Sequence, residues 1–163
     1  MAQGYPNGGA AQPRAFPLAG RTDSGYVRAQ TENIRGDRTM TASLKDVAEA
    51  LVAHCRAGTE AEGLATLYAP DAVSVEAMAM PGGAREARGV DAIRAKHAWW
   101  FETFEVTEAH VEGPFLHGED RFAVIFSAST VETATGKADS MREVGVYTVS
   151  GGRIVREEFF STA

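Results

Sequence analysis

Residues 121–133 read RFAVIFSASTVET, and apolar side chains fall on both parities of this run. Phe122, Val124 and Phe126 share one face of an extended chain, while Ala123, Ile125 and Val131 share the other. A strand of that kind is fully solvated on neither side. Working outward, the period-two pattern holds from residue 105 onward, with candidate strands at 105–115, 121–133, 139–149 and 153–161. Gly118-Glu119-Asp120, Thr135-Gly136-Lys137 and Gly151-Gly152 separate them. Connections this short make successive strands antiparallel neighbours in a meander.

Upstream the pattern is helical. Ser43 and Asp46 have the form of a capping box with Asp in place of Glu. Leu44, Val47, Ala48, Leu51 and Cys55 then recur at helical spacing as far as Gly58. A second short helix, about 60–68, presents Leu64, Leu67 and Tyr68, and Pro70 is expected to end it. Val73 to Met80 reads as a strand, closed by the breaker Pro81-Gly82-Gly83. A third helix starts near Gly89-Val90-Asp91 and carries an aromatic stripe of Ile93, His97, Trp100, Phe101 and Phe104. Helices first and a long sheet afterwards make an α+β domain. The expected architecture is a cone: a curved antiparallel sheet wrapped against three helices, with a cavity between the layers. Helices cover one sheet face, so the other is expected to meet a second copy, giving a homodimer through the sheet.

Composition narrows the function classes. With 163 residues the chain suits one domain with a real core. A net charge of −6 argues against a nucleic-acid partner, and no apolar run is long enough to span a membrane. Cys55 is the single cysteine, so no intrachain disulfide forms, which fits a cytoplasmic location. Residues 1–39 hold six Gly, three Pro and five Arg but no Lys, and are read as a disordered extension upstream of a start at Met40. The domain at 40–163 then carries 11 Lys and Arg against 19 Asp and Glu, about −8. No HExxH, no GxGxxG or GK[ST] loop and no GxSxG elbow occurs, so no cofactor and no metal are expected.

Three stretches carry a resemblance: Leu67-Tyr68-Ala69-Pro70-Asp71-Ala72-Val73, Gly89-Val90-Asp91-Ala92-Ile93-Arg94, and Gly151-Gly152-Arg153-Ile154-Val155-Arg156-Glu157-Glu158-Phe159-Phe160. Together with the element order, they make residues 41–161 resemble the nuclear transport factor 2-like superfamily, and within it the SnoaL-like group. That fold hosts isomerases, dehydratases, cyclases and pure binding domains, so it implies no single reaction. Its ketosteroid isomerases use a carboxylate base and an oxyanion hole of Tyr and protonated Asp. Aligned on Asp71-Ala72, the resemblance places the base at Glu76. The oxyanion partners do not carry over, since their positions fall near Gly145 and at Val52-Ala53.

Alternation alone leaves Glu76 open: it lies outside if Val73, Val75 and Ala77 face the core, and inside if Ser74, Glu76 and Met78 do. An inward Glu76 is the candidate base, with His97 as acid/base or hydrogen-bond donor. Trp99, Trp100 and Met78 are candidate cavity walls, and Arg142 and Tyr147 are candidates for orienting a substrate. The bland alternatives are an aromatic core, a satisfied core histidine and cross-strand pairs among Arg142, Glu143, Tyr147, Glu157 and Glu158. His54, His110 and His117 read as structural or surface residues. The expected function is binding of a small, largely apolar organic molecule, with cofactor-independent proton transfer. The alternative is a non-catalytic ligand-binding or dimerisation module.

Overall fold

Ser43 caps the first helix as its spacing with Asp46 suggests. Its Oγ accepts from the Asp46 amide at 3.2 Å, and the Asp46 carboxylate accepts from the Ser43 amide at 3.1 Å. Helix α1 runs Leu44–Ala57 and ends where Gly58 takes a left-handed φ of 67°. It is followed by α2 (Glu60–Leu67), β1 (Tyr68–Val75), β2 (Glu86–Arg88), α3 (Val90–Thr103), β3 (Phe104–His117), β4 (Arg121–Glu132), β5 (Ala138–Ser150) and β6 (Arg153–Ser161). The computed structural model describes residues 41–79 and 83–162. The expectations for residues 1–39, for a start at Met40, for Met80 and for the turn at Pro81-Gly82 lie outside them.

The six strands form one curved sheet in the order β2-β1-β6-β5-β4-β3. The four-strand meander stands as read, and three helices with the sheet make the α+β cone. Two features differ from the sequence reading. The sheet is mixed, because β1 pairs parallel to β6, and β2 adds a short antiparallel edge. The strand expected at 73–80 instead starts at Tyr68 and stops at Val75. Pro70 does not separate helix from strand. It falls where the β1–β6 register shifts, between Tyr68 and Val73, so its missing N–H interrupts no regular ladder.

Register explains the core. Ser74, Glu157, Tyr147 and Phe122 stand opposite one another across β1, β6, β5 and β4. All four are buried on the helix-covered face. Around the row pack Val47, Leu51, Val52, Leu64, Ile93, Val124 and Ile154. On the opposite face, Ala123, Ile125, Val144 and Val146 are half-buried, while Phe115 and Phe160 are exposed.

Candidate functional site

Strand β1 ends at Val75, and Glu76 follows at once with its backbone tied to Arg85. Its amide donates to the Arg85 carbonyl at 2.8 Å, and Arg85 Nε donates to the Glu76 carbonyl at 2.9 Å. Ser74 faces the helices, and Glu76, two residues on, turns the same way. There α3 presents Lys96, whose ammonium donates to Ser74 Oγ at 2.7 Å, Glu76 Oε1 at 2.7 Å and Glu157 Oε1 at 3.3 Å. The other oxygen of Glu157 accepts from the Tyr68 hydroxyl at 2.5 Å. The Phe159 ring lies 4.5 Å from the ammonium, as a cation–π neighbour. The Glu157 side chain is 1% exposed, Lys96 13% and Glu76 22%, so the group is sealed at Glu157 and opens toward Glu76.

Burial governs the ionisations around this group. It holds the Tyr68 and Tyr147 hydroxyls well above their ordinary range, and the Glu157 charge adds to the effect. Burial, and after it the charge of Glu76, pushes the Glu143 carboxyl up to about 7, against the pull of Lys96. Glu143 therefore keeps a proton close to neutrality, unlike an ordinary carboxyl. Burial also lowers the proton affinity of His97, with the Glu157 charge opposing it. The imidazole is therefore neutral at pH 7. Outside the row, burial pushes the Cys55 thiol up to about 12, which makes it unreactive.

The structure brings together some of the expected site residues and separates others. Glu76 faces the interior against Lys96, and His97 lies beside it on α3, with no hydrogen bond between Glu76 and His97 among the described residues. Tyr147 stands in the inner row, stacked on Phe122 with ring centres 4.9 Å apart. Trp100 and Trp99 pack on Phe104, at 4.6 and 6.1 Å, and brace the junction of α3 and β3. Met78 is 74% exposed, because the chain leaves the strand before it. Arg142 is exposed on the opposite sheet face, opposite Ser127 and 3.5 Å from Glu112, away from Glu76. Phe101, expected on the buried stripe of α3, is 55% exposed. His54 is held by Thr59 at 2.8 Å and is structural.

Lys96 was missed because a lysine within a helix reads as solvated. A helical projection holds the signal: measured from Ile93, Trp100 lies about 20° to one side and Lys96 about 60°, whereas Phe101 lies about 80° to the other. Glu157 was hidden by a bulge. Val149 pairs with Ile154 but Thr148 with Arg156, so Val155 is an extra residue that reverses the parity of β6. Simple alternation from the buried Ile154 would put Arg156 and Glu158 inside. Instead those two pair with each other at 2.9 Å on the outer face.

Two shallow hollows occur among the described residues, and outer-face residues contribute to both. One of about 340 Å³ is lined by Val75, Met78, Arg85, Phe159 and Phe160 among others, and one of about 230 Å³ by Glu108, His110 and Ser127 among others. Neither is lined by Glu76 or His97. Among the described residues no three His, Cys, Asp or Glu converge on a metal-binding geometry, and no helix is long and apolar enough to cross a membrane.

Comparison with known proteins adds a family. A model of the SnoaL-like domain matches residues 48–157. A solved structure from Mesorhizobium loti, provisionally named a SnoaL-like polyketide cyclase with carbohydrate phosphatase in brackets, is 36% identical. It aligns with a TM-score of 0.67 over 72% of this chain and 98% of its own. A protein from Jannaschia sp. CCS1, also provisionally named a SnoaL-like polyketide cyclase, is 16% identical, with a TM-score of 0.59 over 78% of this chain and 91% of its own. The Δ5-3-ketosteroid isomerase of a Mycobacterium species is 19% identical, with a TM-score of 0.54 over 74% of this chain and 95% of its own, and shares the fold. Among curated proteins none matches.

Proposed function

The chain belongs to the SnoaL-like domain family, and from that premise we propose that it binds a small, largely apolar organic molecule at the Glu76 end of the inner row and moves a proton on it. Glu76 is the base in this reading. The observation that carries it is the placement of its carboxylate. Oε1 is held by Lys96 at the partly open end of an otherwise sealed polar group, which leaves Oε2 to a ligand. Glu143 is the complementary donor. It stands two residues before Gly145 on the same face of β5, and keeps its proton up to about 7. The charge of Glu76 reaches Glu143, and a carboxylate and a carboxylic acid facing one ligand can take a proton from carbon and supply one to the carbonyl oxygen without a metal. The name of the Mesorhizobium relative points to carbonyl substrates of the polyketide kind.

Deuterium exchange next to the carbonyl of a panel of cyclic β-dicarbonyl compounds, followed by NMR, tests this. Glu76→Gln is expected to lower the exchange rate by at least about 100-fold. Turnover should also fall as pH rises past about 7, where Glu143 loses its proton. Unchanged exchange in Glu76→Gln removes Glu76 from the mechanism. One observation favours the non-catalytic alternative: Ser74, Glu157 and Tyr147 are at most 3% exposed, so the row itself offers no room for a ligand. A molecule that copurifies with the protein and comes off unchanged after prolonged incubation would decide for that alternative.

We also propose that the outer sheet face, with Ile125, Val144, Val146 and Phe160, packs against a second copy of the chain. A dimer is the expected species in light scattering, and Val146→Glu is expected to shift it to monomer. A monomeric wild type at tens of micromolar would refute the interface.

A further inference from the structure

We propose that Lys96 is a positioning residue that fixes the Glu76 carboxylate in one orientation at the open end of the row; the inference rests on the reading of Glu76 as the base. An ammonium has three protons, and each of those on Lys96 has an acceptor: Ser74, Glu76 and Glu157. Two of these acceptors are rigid. Ser74 and Glu157 are direct register partners on the adjacent strands β1 and β6, and Glu157 is pinned from behind by Tyr68. Phe159 covers a further side of the ammonium. The third hydrogen bond reaches past the end of β1, where Arg85 holds the Glu76 backbone but Lys96 is the one hydrogen-bond partner of its carboxylate among the described residues. The Glu76 side chain is therefore held in place by Lys96, and Lys96 by the sheet. With all three protons engaged, Lys96 has none to give a substrate, so it acts through Glu76.

Nature of the chain makes this directly measurable, because it contains only three lysines: Lys45, Lys96 and Lys137. Among the described residues Lys45 pairs with Glu49 alone, across an exposed helix surface, and Lys137 is exposed. In protein labelled with 15N-lysine, the Lys96 ammonium protons are expected to exchange with water at least roughly tenfold more slowly than the other two. Glu76→Gln and Ser74→Ala should each speed that exchange and leave Lys45 and Lys137 unchanged. On a dicarbonyl probe turned over by the wild type, Ser74→Ala is expected to lower kcat roughly 3–10-fold with KM unchanged, and to cause no further loss in a Glu76→Gln background. Lys96 protons exchanging as fast as those of Lys45 would overturn the proposal. So would Ser74→Ala and Glu76→Gln losses that multiply. If the wild type turns over no probe, the reading of Glu76 as a base fails, and the exchange rates alone still decide whether Lys96 holds it.

Discussion

Replacing Lys96 by Met is expected to lower the unfolding free energy by about 3–5 kcal/mol. The size follows from what is left behind rather than from the pair itself. Taking away the ammonium strands the Glu157 carboxylate, 1% exposed, with only the Tyr68 hydroxyl as a partner. A buried ion pair is worth little against a well-packed apolar substitute, but an orphaned buried charge is costly. Combining Lys96→Met with Glu157→Gln should therefore recover most of the loss, since the amide still accepts from Tyr68 and carries no charge. Urea unfolding of the single and double variants measures both quantities. A loss below about 1 kcal/mol would mean that water reaches Glu157 in solution.

Phe122→Ala is expected to cost about 3–5 kcal/mol, as for other buried aromatic truncations. Phe122 is 1% exposed and stacks within 12° of parallel on Tyr147, its register partner on β5. Tyr147 in turn meets Phe159 edge-on at 6.3 Å, and Phe159 lies against Lys96. The room around Tyr147 is already defined on its other side: a Cβ on Gly145 would stand 3.0 Å from the Tyr147 ring and hydroxyl. The space left by Phe122 thus opens beneath a ring that is braced elsewhere, and it collapses incompletely. Phe122→Leu should cost well under half as much. If thermal and urea unfolding give similar values for Phe122→Ala and Phe122→Leu, the loss comes from the ring stack and not from the volume left empty.

The legibility of this chain in its sequence differs between fold and site for a physical reason. Strands β3 to β6 and helices α1 and α3 announce themselves because their hydrophobic periods are long and local. The three residues of β2 are too few to show a period. The parallel pairing of β1 with β6 joins Ser74 to Glu157 and leaves no mark near either residue. Glu76 was legible as a candidate through its resemblance to a known base, but its direction was not, because both parities of DAVSVEAM carry small or apolar residues. Residue type misled at Lys96, which reads as solvated until its three acceptors are seen together. Arg142 shows the converse: a plausible substrate anchor by chemistry, it belongs to the other side of the sheet.

The place of β6 in the sheet also sets a schedule for the chain's assembly. Strand β6, made after the other five, is an interior strand flanked by β1 and β5. Until it arrives, β1 and β2 can form only a detached hairpin, and Lys96 and Tyr68 have no Glu157 to bind. Contacts of such long sequence separation form late, after local helices and the β3–β5 meander. During synthesis, then, the edge of β5 and the underside of α3 stay uncovered until residues 153–161 leave the ribosome, and that interval is when the nascent chain is most exposed to mispairing with a neighbour.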